Sequence, residues 1–231
     1  MEYGVAQMFP ISVPIFNVIE DTDELKTYAA SRTFFDGGQT SGELDNGRQS
    51  KNLRVLNDYP KINQVILKYF SMFCKEVFEY ECDFMITTSW LTVTNQGQSS
   101  GFHNHKNSFW SGVYYYDEYD ELVGDIQFYN PLRTFDNFEL IPKKKTLANA
   151  IAIEIKPTNK SLIFFPSFLA HRVTTHHSKR PRHSIAFNII PINHYGNDDS
   201  SYDTEWIINN QKDNAINRTY HNNRSWYSYP E

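Results

Sequence analysis

The feature that most constrains the fold is a change in apolar period near Phe84. From there to Ile190, short apolar or alternating segments follow one another, separated by turn residues. Period-two alternation is typical of half-buried β-strands, and many short strands at close spacing indicate a sandwich or barrel. The predicted strands are Met85–Thr94, Phe102–His105, Phe109–Tyr116, Asp125–Tyr129, Ala150–Ile155, Ser161–Phe165 and His183–Ile190. The pattern therefore predicts a mainly β (α+β) chain whose core is a jelly roll or related barrel.

The residues before this core have a different period. Apolar side chains recur at helical spacing from Ile62 to Phe78, which predicts a long helix with one broad apolar face. Such a face has to pack against a flat apolar surface, such as one face of a β-sheet. We therefore expect a single domain over residues 1–191, with a helical buttress over 20–82 and a β core over 84–191. Residues 192–231 are rich in Asn, Asp, Ser and Tyr, and form a polar C-terminal extension.

Composition narrows the range of functions. The chain has 231 residues, a net charge of -5 and two cysteines. Two thiols are too few for a disulfide framework or a cysteine-only zinc site. A negative net charge argues against broad binding to nucleic-acid phosphates, and no apolar run approaches the roughly 20 residues that cross a bilayer. We therefore expect neither membrane nor nucleic-acid binding, and a cytoplasmic location.

Three of the eight histidines have a spacing that suits a metal site. His103 and His105 are two residues apart, so in a strand both side chains project from one face. His171 follows an apolar strand and a proline turn, at the start of the next short strand. Two ligands from one strand and a third from a distant strand are what a facial metal site in a barrel requires. Two exposed histidines are the alternative interpretation of His103 and His105.

The strand after His171 carries a candidate anion site. Arg182 and Ser184 share one face with Ala186 and Asn188, whereas Ile185, Phe187 and Ile189 share the apolar face with His183. A guanidinium can pair with both oxygens of a carboxylate, and a nearby hydroxyl can donate to the same anion. The sequence therefore predicts an anion site at Arg182 and Ser184, with a solvated polar face as the alternative.

The order and spacing of these motifs resemble the core of Fe(II)- and 2-oxoglutarate-dependent oxygenases. The similarity covers residues 84–191, and is greatest to the prolyl-hydroxylase-like group found in bacteria and phages. It rests on the segment GQSSGFHNH at Gly97–His105, on SGVYYY at Ser111–Tyr116, on GDIQF at Gly124–Phe128, on FFPSFLAHRV at Phe164–Val173, and on Arg182-X-Ser184.

This resemblance implies a double-stranded β-helix, of jelly-roll or cupin-like form, that holds Fe(II) and uses 2-oxoglutarate and O₂. His103, His105 and His171 are the implied metal ligands, and Arg182 and Ser184 the implied partners of the distal carboxylate of 2-oxoglutarate. Tyr115 falls where related hydroxylases place a tyrosine against this cosubstrate; a core tyrosine is the alternative. The implied reaction is hydroxylation of a C–H bond, of prolyl or other protein residues, coupled to decarboxylation of 2-oxoglutarate.

One position departs from the family pattern. Most of the superfamily has a carboxylate where this chain has His105, and Asp125 is a substitute carboxylate that the sequence leaves open. The other histidines carry no such signal, and we expect His176 and His177 to be surface residues.

Two further hypotheses stay open at this point. One is a three-histidine metalloenzyme that does not use 2-oxoglutarate, and the other is a non-catalytic jelly-roll interaction or structural protein. The primary substrate, a protein side chain or a small molecule, is not identified by the sequence.

We expect the loops over residues 36–51 and 131–149 to border the mouth of the site. The C-terminal extension is a possible surface for a partner or a second copy, and a phage-encoded protein would be located in the host cytoplasm.

Overall fold

The computed structural model of the protein describes residues 4, 9–30, 47–135 and 140–214. The strands within these residues are β1 (Ile15–Asn17), β2 (Arg48–Gln49), β3 (Asp83–Thr94), β4 (Trp110–Tyr114), β5 (Ile126–Tyr129), β6 (Ala152–Ile155), β7 (Ser161–Pro166), β8 (His171–Val173), β9 (Arg182–Ile192), β10 (His194–Tyr195) and β11 (Tyr202–Asp203). The helices are α1 (Glu24–Ala30), α2 (Pro60–Phe78) and α3 (Thr204–Asn214). None of these helices combines the length and the apolar character needed to cross a membrane.

Two sheets form the centre of the molecule. The larger sheet has the strand order β1-β7-β4-β9-β3-β2, and a three-stranded sheet has the order β6-β5-β8. Strand β4 pairs antiparallel with β7 and β9, and β5 pairs antiparallel with β6 and β8. Val113 of β4, Ile163 of β7 and Phe128 of β5 belong to one buried cluster. The sheets therefore face each other across a shared core, and the predicted mainly β fold is confirmed.

Helix α2 covers the outer face of the larger sheet, as its apolar period predicts. The Phe70 ring lies 5.2 Å from that of Phe164 on β7 and 5.7 Å from that of Trp110 on β4, between ring centroids. Along β7, Phe164 faces this helix whereas its neighbour Ile163 belongs to the inner cluster. Each large apolar side chain buried in this way stabilises the fold by about 1.5–3 kcal/mol. The helix thus holds the sheet whose inner face carries the candidate site.

Strand β9 shows the alternation that the sequence predicts. Its apolar side chains pack in the cluster beneath α2, namely Ile185, Phe187 and Ile189. Its polar and small side chains line a cavity between the sheets, namely Arg182, Ser184, Ala186 and Asn188. The predicted division of the strand into two faces is confirmed, and it brings a buried cation into the interior of the barrel.

The chain divides into two compact units, Met1–Pro191 and Ile192–Glu231. In the second unit, β10 and β11 form an antiparallel pair in which the Tyr195 and Tyr202 rings stack with centroids 5.0 Å apart. Helix α3 follows directly, and the backbone N–H of Asn193 donates to Thr204 Oγ1 at 2.7 Å. The described part of the polar extension is therefore an ordered hairpin and helix.

Two local predictions are wrong. The segment Phe102–His105 is not a strand, because within it His103 alone forms an isolated bridge, to His171. The loop predicted over residues 36–51 contains β2, where Arg48 pairs with Val93 of β3; its residues 36–46 lie outside the described part of the chain. In both cases the pairing depends on a partner distant in sequence, which local composition does not reveal.

Candidate active site

Three histidines meet at one end of the cavity. The backbone of His103 and that of His171 exchange two hydrogen bonds, of 3.0 and 2.9 Å, and the N–H of His105 donates to the Ser167 carbonyl at 3.0 Å. These bonds hold the His-X-His segment against the start of β8. One ring nitrogen from each histidine lies within 4.8 Å of those of the other two. The imidazoles predicted from the sequence to share a site are therefore brought together, although by a bridge and not by a regular strand.

The hydrogen bonds of the rings indicate which nitrogen faces the cluster. The Nδ1 atoms of His103 and His171 each lie 3.0 Å from a backbone carbonyl, of Gly101 and Leu169 respectively. A carbonyl accepts hydrogen bonds only, so Nδ1 carries the proton in both rings and Nε2 keeps a lone pair. His105 Nδ1 lies 2.5 Å from Asn188 Oδ1, which permits the same tautomer.

Burial keeps these imidazoles neutral. Loss of solvation lowers the pKa of His171 to about 3 and that of His105 to about 4, and it also lowers the pKa of His103. The neighbouring imidazoles lower the pKa of His171 and His105 further. Three neutral imidazoles with ring nitrogens within 4.8 Å of one another are a donor set that suits iron, zinc, copper or nickel. The residues present therefore fit a divalent metal of this class.

The anion-binding candidates lie deeper in the same cavity. The Arg182 side chain is 2% exposed. Its Nε donates to the Gly124 carbonyl at 3.0 Å, its Nη2 donates to the Tyr115 hydroxyl at 2.7 Å, and its Nη1 lies 3.5 Å from Ser184 Oγ. In the described part of the chain, no aspartate or glutamate forms a salt bridge with it. These hydrogen bonds go to neutral groups, and the Asp125 carboxylate interacts with Arg182 electrostatically without forming a salt bridge with it.

Tyr115 and Ser184 complete this end of the cavity. The Tyr115 side chain is fully buried, and burial raises the pKa of its hydroxyl, which therefore stays protonated. Because its oxygen accepts from Arg182, its own proton can be donated to a ligand. Ser184 Oγ lies 2.7 Å from Thr92 Oγ1, which fixes the position of the hydroxyl. Two hydroxyls thus flank one guanidinium.

One cavity of about 390 Å³ contains both groups. Its walls include all six residues predicted from the sequence, namely His103, His105, Tyr115, His171, Arg182 and Ser184. Asp125, the alternative carboxylate, is not in the histidine cluster, which among the described residues holds no acidic side chain. Burial raises the pKa of Asp125, and its Oδ1 has no hydrogen-bond partner in the described structure.

Two residues near the site were not recognised from the sequence. His176, expected at the surface, is 1% exposed. Its Nδ1 accepts from the N–H of Gly124 at 3.1 Å and its Nε2 lies 2.7 Å from the Arg180 carbonyl, so it supports the same glycine that holds Arg182. His177 is exposed, as expected. Asn188 was predicted to share the face of Arg182, but nothing local signalled its contact with His105.

Comparison with known proteins identifies this arrangement. Residues 88–188, which include every candidate site residue, match the family model described as "Putative 2OG-Fe(II) oxygenase". Over these residues the chain matches the 2-oxoglutarate–Fe(II) oxygenases, which confirms the family that the sequence motifs indicated. It is therefore an oxidoreductase of the dioxygenase class that depends on Fe(II), 2-oxoglutarate and O₂, which confirms the cofactors that the sequence resemblance implied.

Solved structures confirm the double-stranded β-helix fold of this oxygenase. HygX from Streptomyces hygroscopicus, solved with nickel and 2-oxoglutarate, is 10% identical, has a TM-score of 0.54, and the match covers 78% of this chain and 83% of HygX. The epimerase SnoN from nogalamycin biosynthesis is 8% identical with a TM-score of 0.55, over 81% and 82% of the two chains. A prolyl hydroxylase from Trichoplax adhaerens is 13% identical with a TM-score of 0.50, over 77% and 83%. No curated protein matches the oxygenase in sequence.

Proposed function

We propose that this oxygenase is a hydroxylase that couples oxidative decarboxylation of 2-oxoglutarate to hydroxylation of a C–H bond in a second substrate. The observation that carries the proposal is the buried Arg182, which forms no salt bridge within the described residues and shares a cavity with three neutral imidazoles. A cation held in this way favours an anionic ligand. A dicarboxylate could contact both ends of the cavity.

In this proposal His103, His105 and His171 hold Fe(II) through their Nε2 atoms. The metal, when bound, supplies the activation of O₂ and a chelation point for 2-oxoglutarate. The protein supplies the neutral state of the donors, because burial disfavours their protonation. It also orients each ring through a hydrogen bond at Nδ1.

Arg182, Ser184 and Tyr115 are proposed to bind the distal carboxylate of 2-oxoglutarate. The bond from Arg182 Nε to Gly124 fixes the plane of the guanidinium, and leaves its Nη atoms directed toward the cavity. A carboxylate there would accept from Arg182, from Ser184 Oγ and from the Tyr115 hydroxyl. These contacts also exclude water from the deep end of the cavity, where the side chains are nearly fully buried.

The class of the primary substrate remains a proposal. The Trichoplax prolyl hydroxylase was solved with a peptide of hypoxia-inducible factor, and HygX was solved with hygromycin B. A shared fold therefore accommodates both a protein segment and a small molecule. We propose a protein residue, prolyl or other, as the first class to test. From composition alone, we also propose that a partner or a second copy binds through residues 192–231. We propose on the same basis that the protein acts in the cytoplasm of a cell or of a phage host.

The test is turnover of 2-oxoglutarate by protein reconstituted anaerobically with Fe(II) and then exposed to O₂. We expect succinate to form slowly without a primary substrate and faster with an accepted peptide, and the His103→Ala variant to form none. Binding of 2-oxoglutarate to the Fe(II) protein should produce a visible charge-transfer band. Absence of both the charge-transfer band and succinate would refute the proposal. If the purified protein instead contains zinc and does not bind 2-oxoglutarate, the result favours a three-histidine metalloenzyme that does not use 2-oxoglutarate.

A further inference from the structure

We propose that Asn188 is the positioning residue for His105, the ligand that stands where most of the superfamily has a carboxylate. This inference rests on the proposed function, because it concerns the metal that the three histidines would hold. Asn188 does not contact the metal position itself in this proposal. It acts through the ring of His105, by fixing which nitrogen faces the cluster and how the ring is turned.

The contacts of Asn188 assign a separate role to each end of its amide. Its Oδ1 lies 2.5 Å from His105 Nδ1 and accepts from Ser111 Oγ at 2.8 Å. Its Nδ2 donates to Thr88 Oγ1 at 2.9 Å. An amide oxygen can only accept and an amide nitrogen can only donate. With Nδ2 directed to Thr88, the oxygen faces His105 and requires a proton on Nδ1, which leaves Nε2 as the ligand atom.

Asn188 is itself held on both sides. The strand that carries it pairs with β4, where Asn188 lies opposite Ser111. The Ser111 side chain is fully buried, and its hydroxyl lies 2.7 Å from Ser167 Oγ. Ser167 in turn accepts the backbone N–H of His105 through its carbonyl. One network of short polar side chains therefore fixes both the backbone and the ring of His105.

The other two histidines do not need such a residue. His103 and His171 each direct Nδ1 to the carbonyl two residues earlier in the chain. These acceptors are backbone carbonyls, so a side-chain substitution on a neighbouring strand does not remove them. His105 depends on a side chain from a strand 83 positions later in the sequence. His105 is therefore the histidine whose Nδ1 contact a single substitution, at Asn188, removes.

The experiment is calorimetric titration with Co(II) alone, without 2-oxoglutarate, of the wild-type full chain and of the variants Asn188→Leu and Asn188→Asp. Removing a hydrogen bond to a metal-ligating histidine typically weakens metal binding by about 10- to 100-fold, and we expect this loss in Asn188→Leu. Asn188→Asp keeps an acceptor at the same place, so we expect wild-type or tighter affinity. Asn130→Leu is the matched control, because Asn130 is half-buried and hydrogen-bonded but lies outside the cavity lining.

A spectroscopic measurement separates orientation from general packing. In the metal-free protein, ¹⁵N NMR of the imidazoles should show His105 with its proton on Nδ1 in wild type and in Asn188→Asp. In Asn188→Leu the preference of His105 for the Nδ1-protonated tautomer should be lost. The ¹⁵N resonances of His105 are assigned as those missing from the spectrum of His105→Ala. Rescue of both the tautomer and the affinity by aspartate is not expected of a residue that only fills space.

Two results would overturn this inference alone. One is Co(II) affinity in Asn188→Leu equal to that of wild type, and the other is an Asn188→Asp protein as weak as Asn188→Leu. In either case His103→Ala, which removes one of the three donors and should weaken Co(II) binding strongly, is the control that Co(II) binds at the histidine cluster. If wild type binds no Co(II), Ni(II) or Fe(II), the proposed function fails together with this inference.

Discussion

Replacement of Arg182 by methionine tests the proposed cosubstrate site most directly. Methionine has a similar length and preserves most of the packing, but it removes the charge and the donors. The wild-type guanidinium is 2% exposed, so neither solvent nor salt screens its interaction with an anion. We expect the variant to fold, to bind metal normally, and to lose affinity for 2-oxoglutarate.

The size of the loss follows from the bonds that a carboxylate would make with Arg182. Each hydrogen bond to a charged group contributes about 1.5–3 kcal/mol, and a bidentate pair has two. Truncating one partner of a buried charge pair costs about 2–5 kcal/mol in complexes. At about 1.4 kcal/mol per tenfold change in Kd, a loss near 3–5 kcal/mol weakens binding by at least about a hundredfold. Arg182→Lys keeps the charge without the planar fork, and should lose about tenfold.

The assay is anaerobic calorimetry of 2-oxoglutarate binding to Ni(II)-loaded protein, with Ni(II) affinity measured separately. Arg172→Met is the matched control. Arg172 belongs to β8, donates to Gln127 Oε1 at 2.6 Å, lies over the Phe102 ring, and does not line the cavity. Wild-type affinity for 2-oxoglutarate in Arg182→Met, or an equal loss in Arg172→Met, would show that Arg182 is not the anchor.

Three other substitutions test the surroundings of this residue and the core that supports it. Tyr115→Phe removes the hydroxyl that accepts from Arg182. A lost hydrogen bond costs about 1 kcal/mol, so we expect 2-oxoglutarate binding to weaken about five- to tenfold. An unchanged affinity for 2-oxoglutarate in calorimetry would contradict a role for this hydroxyl in binding. Gly112→Ala places a Cβ 2.5 Å from the Phe187 ring, and should reduce the free energy of unfolding in urea by about 1–3 kcal/mol. Phe70→Ala empties the contact beneath α2 and should cost about 3–5 kcal/mol in the same assay; an unchanged urea midpoint in either variant would refute its packing argument.

The sequence predicts those parts of the fold in which periodicity and burial coincide. Helix α2 and strand β9 each have one apolar face and one polar face, so their residue pattern alone indicates which side chains enter the core. The face of Arg182 and Ser184 followed from that alternation. His171 was likewise placed at the start of a short strand, where β8 begins. These predictions depend on local pattern. They hold because one face of the sheet packs in the apolar cluster beneath α2, whereas the other face lines the cavity.

The features that the sequence could not predict depend on contacts between distant residues. His176 lies in a polar segment, and its burial results from a bond to Gly124, 52 positions away. The acceptor for His105 is on β9, and the bridge of His103 is to β8. No composition or period in the HNH segment distinguishes a strand from an extended segment tied at one point. Tertiary pairing alone decides these cases.

The electrostatics of the cavity also differ from those of the whole chain. The net charge is -5, yet the described histidine cluster holds no carboxylate, and the buried Arg182 forms no salt bridge within the described residues. Exposed charges beyond about 8 Å are largely screened at physiological ionic strength, so the acidic surface contributes little inside. Three neutral donors would leave Fe(II) with its full double charge, and Arg182 adds another positive charge. Under the proposed function, a dianionic cosubstrate that contacts both the metal and Arg182 would offset most of this charge.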